Sequence, residues 1–69
     1  MIKENSRIKI ADSSGLKDLK LSELVDSTGT VIEDLTYNGR VSKGYLIQLD
    51  SPFQNEYLWF IPKDSVQAL

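Results

Sequence analysis

The groups able to do chemistry in this 69-residue chain are carboxylates, hydroxyls and aromatic rings. It has no histidine and no cysteine. Imidazole bases, thiol nucleophiles, disulfides and the usual nitrogen or sulfur metal ligands are therefore ruled out, and a Ser-His-Asp relay cannot be assembled. Glu33 and Asp34 are neighbours; on a strand they point to opposite faces and cannot act on one bond. Asp12, Asp26, Asp50 and Asp64 sit beside apolar runs, where turns favour aspartate. Gly15, Gly29, Gly39 and Gly44 are scattered and form no phosphate-cradling loop. The expectation is a non-catalytic protein with no metal site and no cofactor.

The aromatic residues are the better lead. Tyr37, Tyr45, Phe53, Tyr57, Trp59 and Phe60 all fall between positions 37 and 60. A domain this small has too little interior to hide six rings. The plainer reading buries Trp59 and Tyr45 and tucks Phe60 beneath Leu16 or Leu19. The sharper reading leaves Tyr37, Phe53, Tyr57 and Phe60 as a partly exposed patch suited to a protein partner, since aromatic side chains dominate interface hot spots. A third hides that patch in a dimer; the oligomeric state is open.

Charge frames the alternative. The formal net charge is −2, whereas nucleic-acid modules carry a positive surplus. The distribution is uneven. Residues 1–20 hold Lys3, Arg7, Lys9, Lys17 and Lys20 against Glu4, Asp12 and Asp18, and the acids dominate thereafter. A nucleic-acid-binding edge would use Arg7, Lys9, Lys17, Lys20 and Arg40, with Tyr37 beside them. The overall balance places this second to a protein partner. No segment is apolar and long enough to span a membrane, and the cytoplasm is the expected compartment.

Five strands must position these groups. Residues 1–6 are polar and expected to be flexible; residues 7–69 form one domain. Arg7-Ile8-Lys9-Ile10-Ala11 alternates with period two, which predicts a strand with Ile8 and Ile10 facing in. Asp12-Ser13-Ser14-Gly15 reads as a turn. Residues 16–27 follow neither period and form a long first loop, with Ser22 a candidate cap for one helical turn. Thr30–Leu35 and Gly44–Asp50 are strands flanking Asn38-Gly39, a strong hairpin signal. A two-residue turn there would set Ile32 against Tyr45; a longer loop slips the register by one and sends Val31 to the core. Weak strand residues at Val41-Ser42-Lys43-Gly44 favour the longer loop. Ser51–Asn55 is a turn, Glu56–Ile61 an apolar strand ended by Pro62, Pro62–Ser65 a 3₁₀ turn, and Val66–Leu69 a last short strand. Five short, twisted strands closing on themselves remove exposed edges. The fold class is all-β, a small five-stranded barrel.

Two motifs carry a resemblance. Ile61-Pro62-Lys63-Asp64-Ser65-Val66 resembles the end of SH3 domains, where an apolar residue and proline lead a 3₁₀ turn into a strand with a core valine. Gly29-Thr30-Val31 is similar to the Gly-x-Val of bacterial SH3-like and KOW-type barrels. The resemblance spans residues 7–69 and implies an SH3-like barrel serving as a binding or adaptor module. The departures bear on function. Ile8-Lys9-Ile10-Ala11-Asp12 stands where SH3 domains carry an Ala-Leu-Tyr-Asp-Tyr-like strand. Ser65 replaces the groove tyrosine, and Trp59 lies too near Pro62 to be the groove tryptophan. These count against a proline-rich-peptide groove. RNA-binding KOW-type barrels are basic before Gly-x-Val, whereas Glu23-Leu24-Val25-Asp26-Ser27 is acidic.

Overall fold

The computed structural model describes residues 2–37, 39 and 41–69. The strands are β1 (Arg7–Ile10), β2 (Thr28–Leu35), β3 (Gly44–Phe53), β4 (Glu56–Pro62) and β5 (Val66–Ala68). They form one antiparallel sheet in the order β4-β3-β2-β1-β5. A one-turn helix α1 (Ser14–Asp18) and a 3₁₀ turn (Ser22–Leu24) lie between β1 and β2, and a second 3₁₀ turn (Lys63–Ser65) leads into β5. The molecule is all-β apart from these turns. Among the described residues, no helix is long and apolar enough to cross a membrane.

The sheet encloses an interior but does not close into the expected barrel. Among the described residues, β5 pairs only with β1 and β4 only with β3, so the ladder stays open between them. Three residues of β5 give too short a template to complete the ring. Non-strand chain seals the interior instead. Leu16, Leu21 and Leu24 pack into one cluster with Ile8, Ile10, Val31, Tyr45, Ile47, Leu49, Ile61 and Val66, and α1 contacts both β4 and the second 3₁₀ turn.

Local chemistry explains these short elements. Ser13 caps α1, its Oγ accepting from the Leu16 N–H at 3.1 Å. What reads as a turn at Asp12–Gly15 is thus a helix start that drops Leu16 into the core. The first 3₁₀ turn does begin at Ser22, but Leu21 is its cap and no side chain bonds to it. Asp26 takes a φ of 72°, and its N–H donates to Ile10 O at 2.8 Å while the Ile10 N–H donates to Ser27 O. These bonds carry the β1–β2 pairing past the end of the strands.

β2 is bent. Val31 faces Ile47, but Glu33 faces Leu46, which leaves Ile32 as an extra, bulged residue. The longer-loop register is the one formed. Val31 is fully buried, Ile32 is 39% exposed, and the strands separate beyond Leu35 and Gly44. Of the Asn38-Gly39 pair, Asn38 lies outside the described residues, and Gly39 has a φ of 95°. At Gly29 a Cβ would stand 2.6 Å from the Gln48 carbonyl oxygen and 2.8 Å from Ile47 Cγ2. Only glycine lets β2 cross β3 this closely.

Residues 2–6 run beside β2. The Asn5 N–H donates to Val31 O at 2.7 Å, the Val31 N–H to Ser6 O at 3.0 Å, and Ile2 packs on the core. At the other end of the sheet, Gln54 and Asn55 both have positive φ, 53° and 65°, the signature of a two-residue hairpin turn. β3 therefore extends through Phe53, and the turn is shorter than the sequence pattern indicates.

Candidate functional site

The basic residues come first, because their placement weighs on the nucleic-acid alternative. Arg7 and Lys9 share the outward face of β1, opposite Thr30 and Thr28 of β2. The Arg7 guanidinium grips Asp50 of β3 with two prongs, Nη1 to Oδ1 at 2.7 Å and Nη2 to Oδ2 at 2.5 Å. It also donates to Thr30 Oγ1 at 3.1 Å. The Thr28 hydroxyl donates to Asp50 Oδ2 at 2.6 Å. Hydrogen bonds from Arg7 and then Thr28 hold the Asp50 carboxyl well below the usual carboxylate range, and the bond to Asp50 raises Arg7. Lys9 Nζ lies 3.4 Å from Asp26 Oδ1, and Lys17 Nζ lies 3.7 Å from Asp12 Oδ2. Lys20 follows α1 with a φ of 60° and is exposed. Arg40 lies outside the described residues. Arg7, Lys9 and Lys17 each face an acid.

Beside the Arg7 cluster is an open polar cleft of about 220 Å³ lined by Asp26, Ser27, Thr28, Asp50 and Ser51. Its two carboxylates are committed, Asp50 to Arg7 and Thr28, Asp26 to Lys9.

The aromatic residues divide by strand alternation. Along β4, Trp59 and Ile61 oppose Ile47 and Tyr45, on the core side. Leu58 and Phe60 oppose Gln48 and Leu46, on the outer side. Phe60 is thus not beneath Leu16; it lies on the outer face over Gly44, where a Cβ would stand 2.8 Å from its Cζ. Tyr45 is buried, and Trp59 is half-buried with its Nε1 donating to the Glu56 carbonyl at 2.9 Å. Phe53 packs edge-to-face on Trp59, ring centres 5.4 Å apart, near the hairpin tip. Tyr57 is 47% exposed on the Trp59 side of β4. Tyr37, 59% exposed, follows the far end of β2. Phe53 and Tyr57 are brought together at the β3–β4 tip; Phe60 faces the other way, and Tyr37 lies toward the opposite end of the sheet.

Sequence reasoning missed the aliphatic companions of Phe60. Leu46 and Leu58 share its face, and the bulged Ile32 points outward from β2. Together they make an apolar strip across β2, β3 and β4. The signal was present in the alternation of β3 and β4, but it could be read only once the register had placed Val31 inside. No protein-family model matches the chain, and comparison with curated proteins and solved structures finds no significant match. The reading of function therefore stands on the surface alone.

Proposed function

We propose that this chain is an SH3-like module of the cytoplasm that binds a protein partner without catalysing a reaction. The strand order, the 3₁₀ turn leading from Pro62 to the core residue Val66, and Gly29-Thr30-Val31 at the β2–β3 crossing support the SH3-like reading. The observation that carries the functional reading is the outer strip of Ile32, Leu46, Leu58 and Phe60, whose aliphatic members reach 39% and 45% exposure at Ile32 and Leu58. Apolar side chains gathered on one sheet face are what a protein interface uses; the exposed Tyr37 lies toward one end of the sheet, and Tyr57 is exposed on the opposite face of β4. Phe53 contributes through its contact with Trp59, holding the tip beside Tyr57.

Nucleic-acid binding is less well supported, because the acids facing Arg7, Lys9 and Lys17 cancel the charge that would draw phosphates. The test is capture of partners by the immobilised protein, with binding mapped onto its amides. Partner-induced shifts centred on Ile32, Leu46, Leu58 and Phe60, and their loss in Ile32→Lys, are expected. Saturable, salt-sensitive shifts in residues 7–20 on adding oligonucleotides would replace this reading with the nucleic-acid one.

A further inference from the structure

β4 is an edge strand with little side-chain protection between Leu58 and Pro62; its ladder with β3 is irregular only toward the hairpin tip, between Gln48 and Phe53. Edge strands are normally kept from pairing by charged side chains, prolines, bulges or short length. β5, the other edge, has three residues. β4 has seven, Glu56-Tyr57-Leu58-Trp59-Phe60-Ile61-Pro62, with no charge between Glu56 and Lys63. Its proline stands at the far end, against Gly15 of α1.

The ladder tells which backbone groups face outward. The Lys63 N–H donates to Lys43 O at 3.1 Å, in the same register that sets Ile61 against Tyr45 and Trp59 against Ile47. Hydrogen-bonded and non-bonded pairs alternate along an antiparallel ladder. The Leu58 N–H and C=O therefore turn away from β3, toward the open side.

We infer that a second copy of this chain occupies this edge, its β4 antiparallel to the first about a two-fold axis at Leu58. Three features make the edge complementary to itself. At the axis, Leu58 exchanges N–H and C=O with its own counterpart. One step to either side, Tyr57 of one copy opposes Trp59 of the other on the core-facing side, and aromatic cross-strand pairs of this kind stabilise antiparallel sheets. The antiparallel sense also keeps the two Glu56 carboxylates apart, each opposing Phe60 of the other copy, whereas a parallel one would set Glu56 beside Glu56. Pro62 falls outside the paired stretch. The pairing is made by the backbone edge of β4 and brings in the strip only at Leu58 and Phe60, so it does not rest on the partner-binding reading.

Sedimentation equilibrium from about 10 μM to about 1 mM, combined with amide hydrogen exchange, tests this on the intact protein. The expected result is a mass rising toward twice that of one chain, with exchange at Leu58 slowing about ten-fold or more over the same range. Tyr57→Lys, an exposed position, should remain folded by circular dichroism and sediment as one chain, whereas Ile32→Lys should still dimerise. A single-chain mass throughout would overturn the inference. So would a dimer whose Leu58 amide exchanges at one rate at all concentrations, or one that survives Tyr57→Lys. None of these three results bears on partner capture by the outer strip.

Discussion

Arg7 and Asp50 meet across a strand to which neither belongs. Arg7 is on β1 and Asp50 on β3, β2 lies between them, and the guanidinium bridges that strand with two short bonds to the carboxylate. Thr30 and Thr28, the β2 residues beneath the bridge, each add a hydroxyl contact. One side-chain cluster thus ties three strands on the outer face, where no apolar core holds them.

The cluster sets an acid response. The folded-state pKa of Asp50 lies below its ordinary value of 3.8, so ionised Asp50 stabilises the fold above that value, and the contribution is lost as pH falls through 3.8 toward the folded pKa. Wild type should exceed Asp50→Asn in urea midpoint at pH 7, and the gap should close on acidification below about pH 4. Because both side chains are about half exposed, added salt should narrow the gap at pH 7 as well. A gap constant from pH 7 to pH 2 would contradict this account.

The bulge at Ile32 makes adjacent residues unequal. Val31→Ala opens space in the core and should cost roughly 2 kcal/mol. Ile32→Ala, on the outer face, should stay within about 0.5 kcal/mol of wild type. Chemical denaturation of the two variants measures the difference directly; the two-residue-turn register would reverse the order.

Gly29 is needed for space. A methyl group there meets the Gln48 carbonyl and Ile47, and Gly29→Ala should destabilise by about 1–3 kcal/mol as β2 and β3 are forced apart. Gly39 has open space around it but a φ of 95°. Gly39→Ala should cost about 1 kcal/mol through backbone strain, with amide shifts confined to the loop. Heteronuclear spectra of the two variants separate the causes.

Ser65 is fully buried, and its Oγ lies 2.5 Å from Ser13 Oγ. The contact joins the cap of α1 to the turn before β5, closing the side of the interior where the sheet is open. Ser65→Ala should cost about 1–2 kcal/mol, and Ser13→Ala about 1 kcal/mol or more, since it removes the cap as well. A double-mutant cycle should show coupling of at least about 0.5 kcal/mol; additive losses would mean that the two hydroxyls act independently.

The strands were legible in the sequence because period-two alternation and turn residues are local signals. Ile8 and Ile10 face in, Pro62 ends β4, and Val66 opens β5 as those patterns indicate. The absence of histidine and cysteine likewise narrowed the chemistry with no structure at hand. α1 was not legible, because Ser13 is equally at home in a turn and at a helix start, and only the burial of Leu16 separates the two.

What the chain order alone determined is therefore the number, sequence and approximate limits of the strands, and the lack of histidine and cysteine. The tertiary structure decided the register, the open sheet, the pairing of Arg7 with Asp50, and the division of Tyr57 from Phe60 between two faces. The physical reason is distance along the chain. A strand's alternation is set by its neighbours, but which of its two sides becomes the inside depends on bulges and crossings made with residues far away, as Val31 does with Ile47 and Gly29 with Gln48.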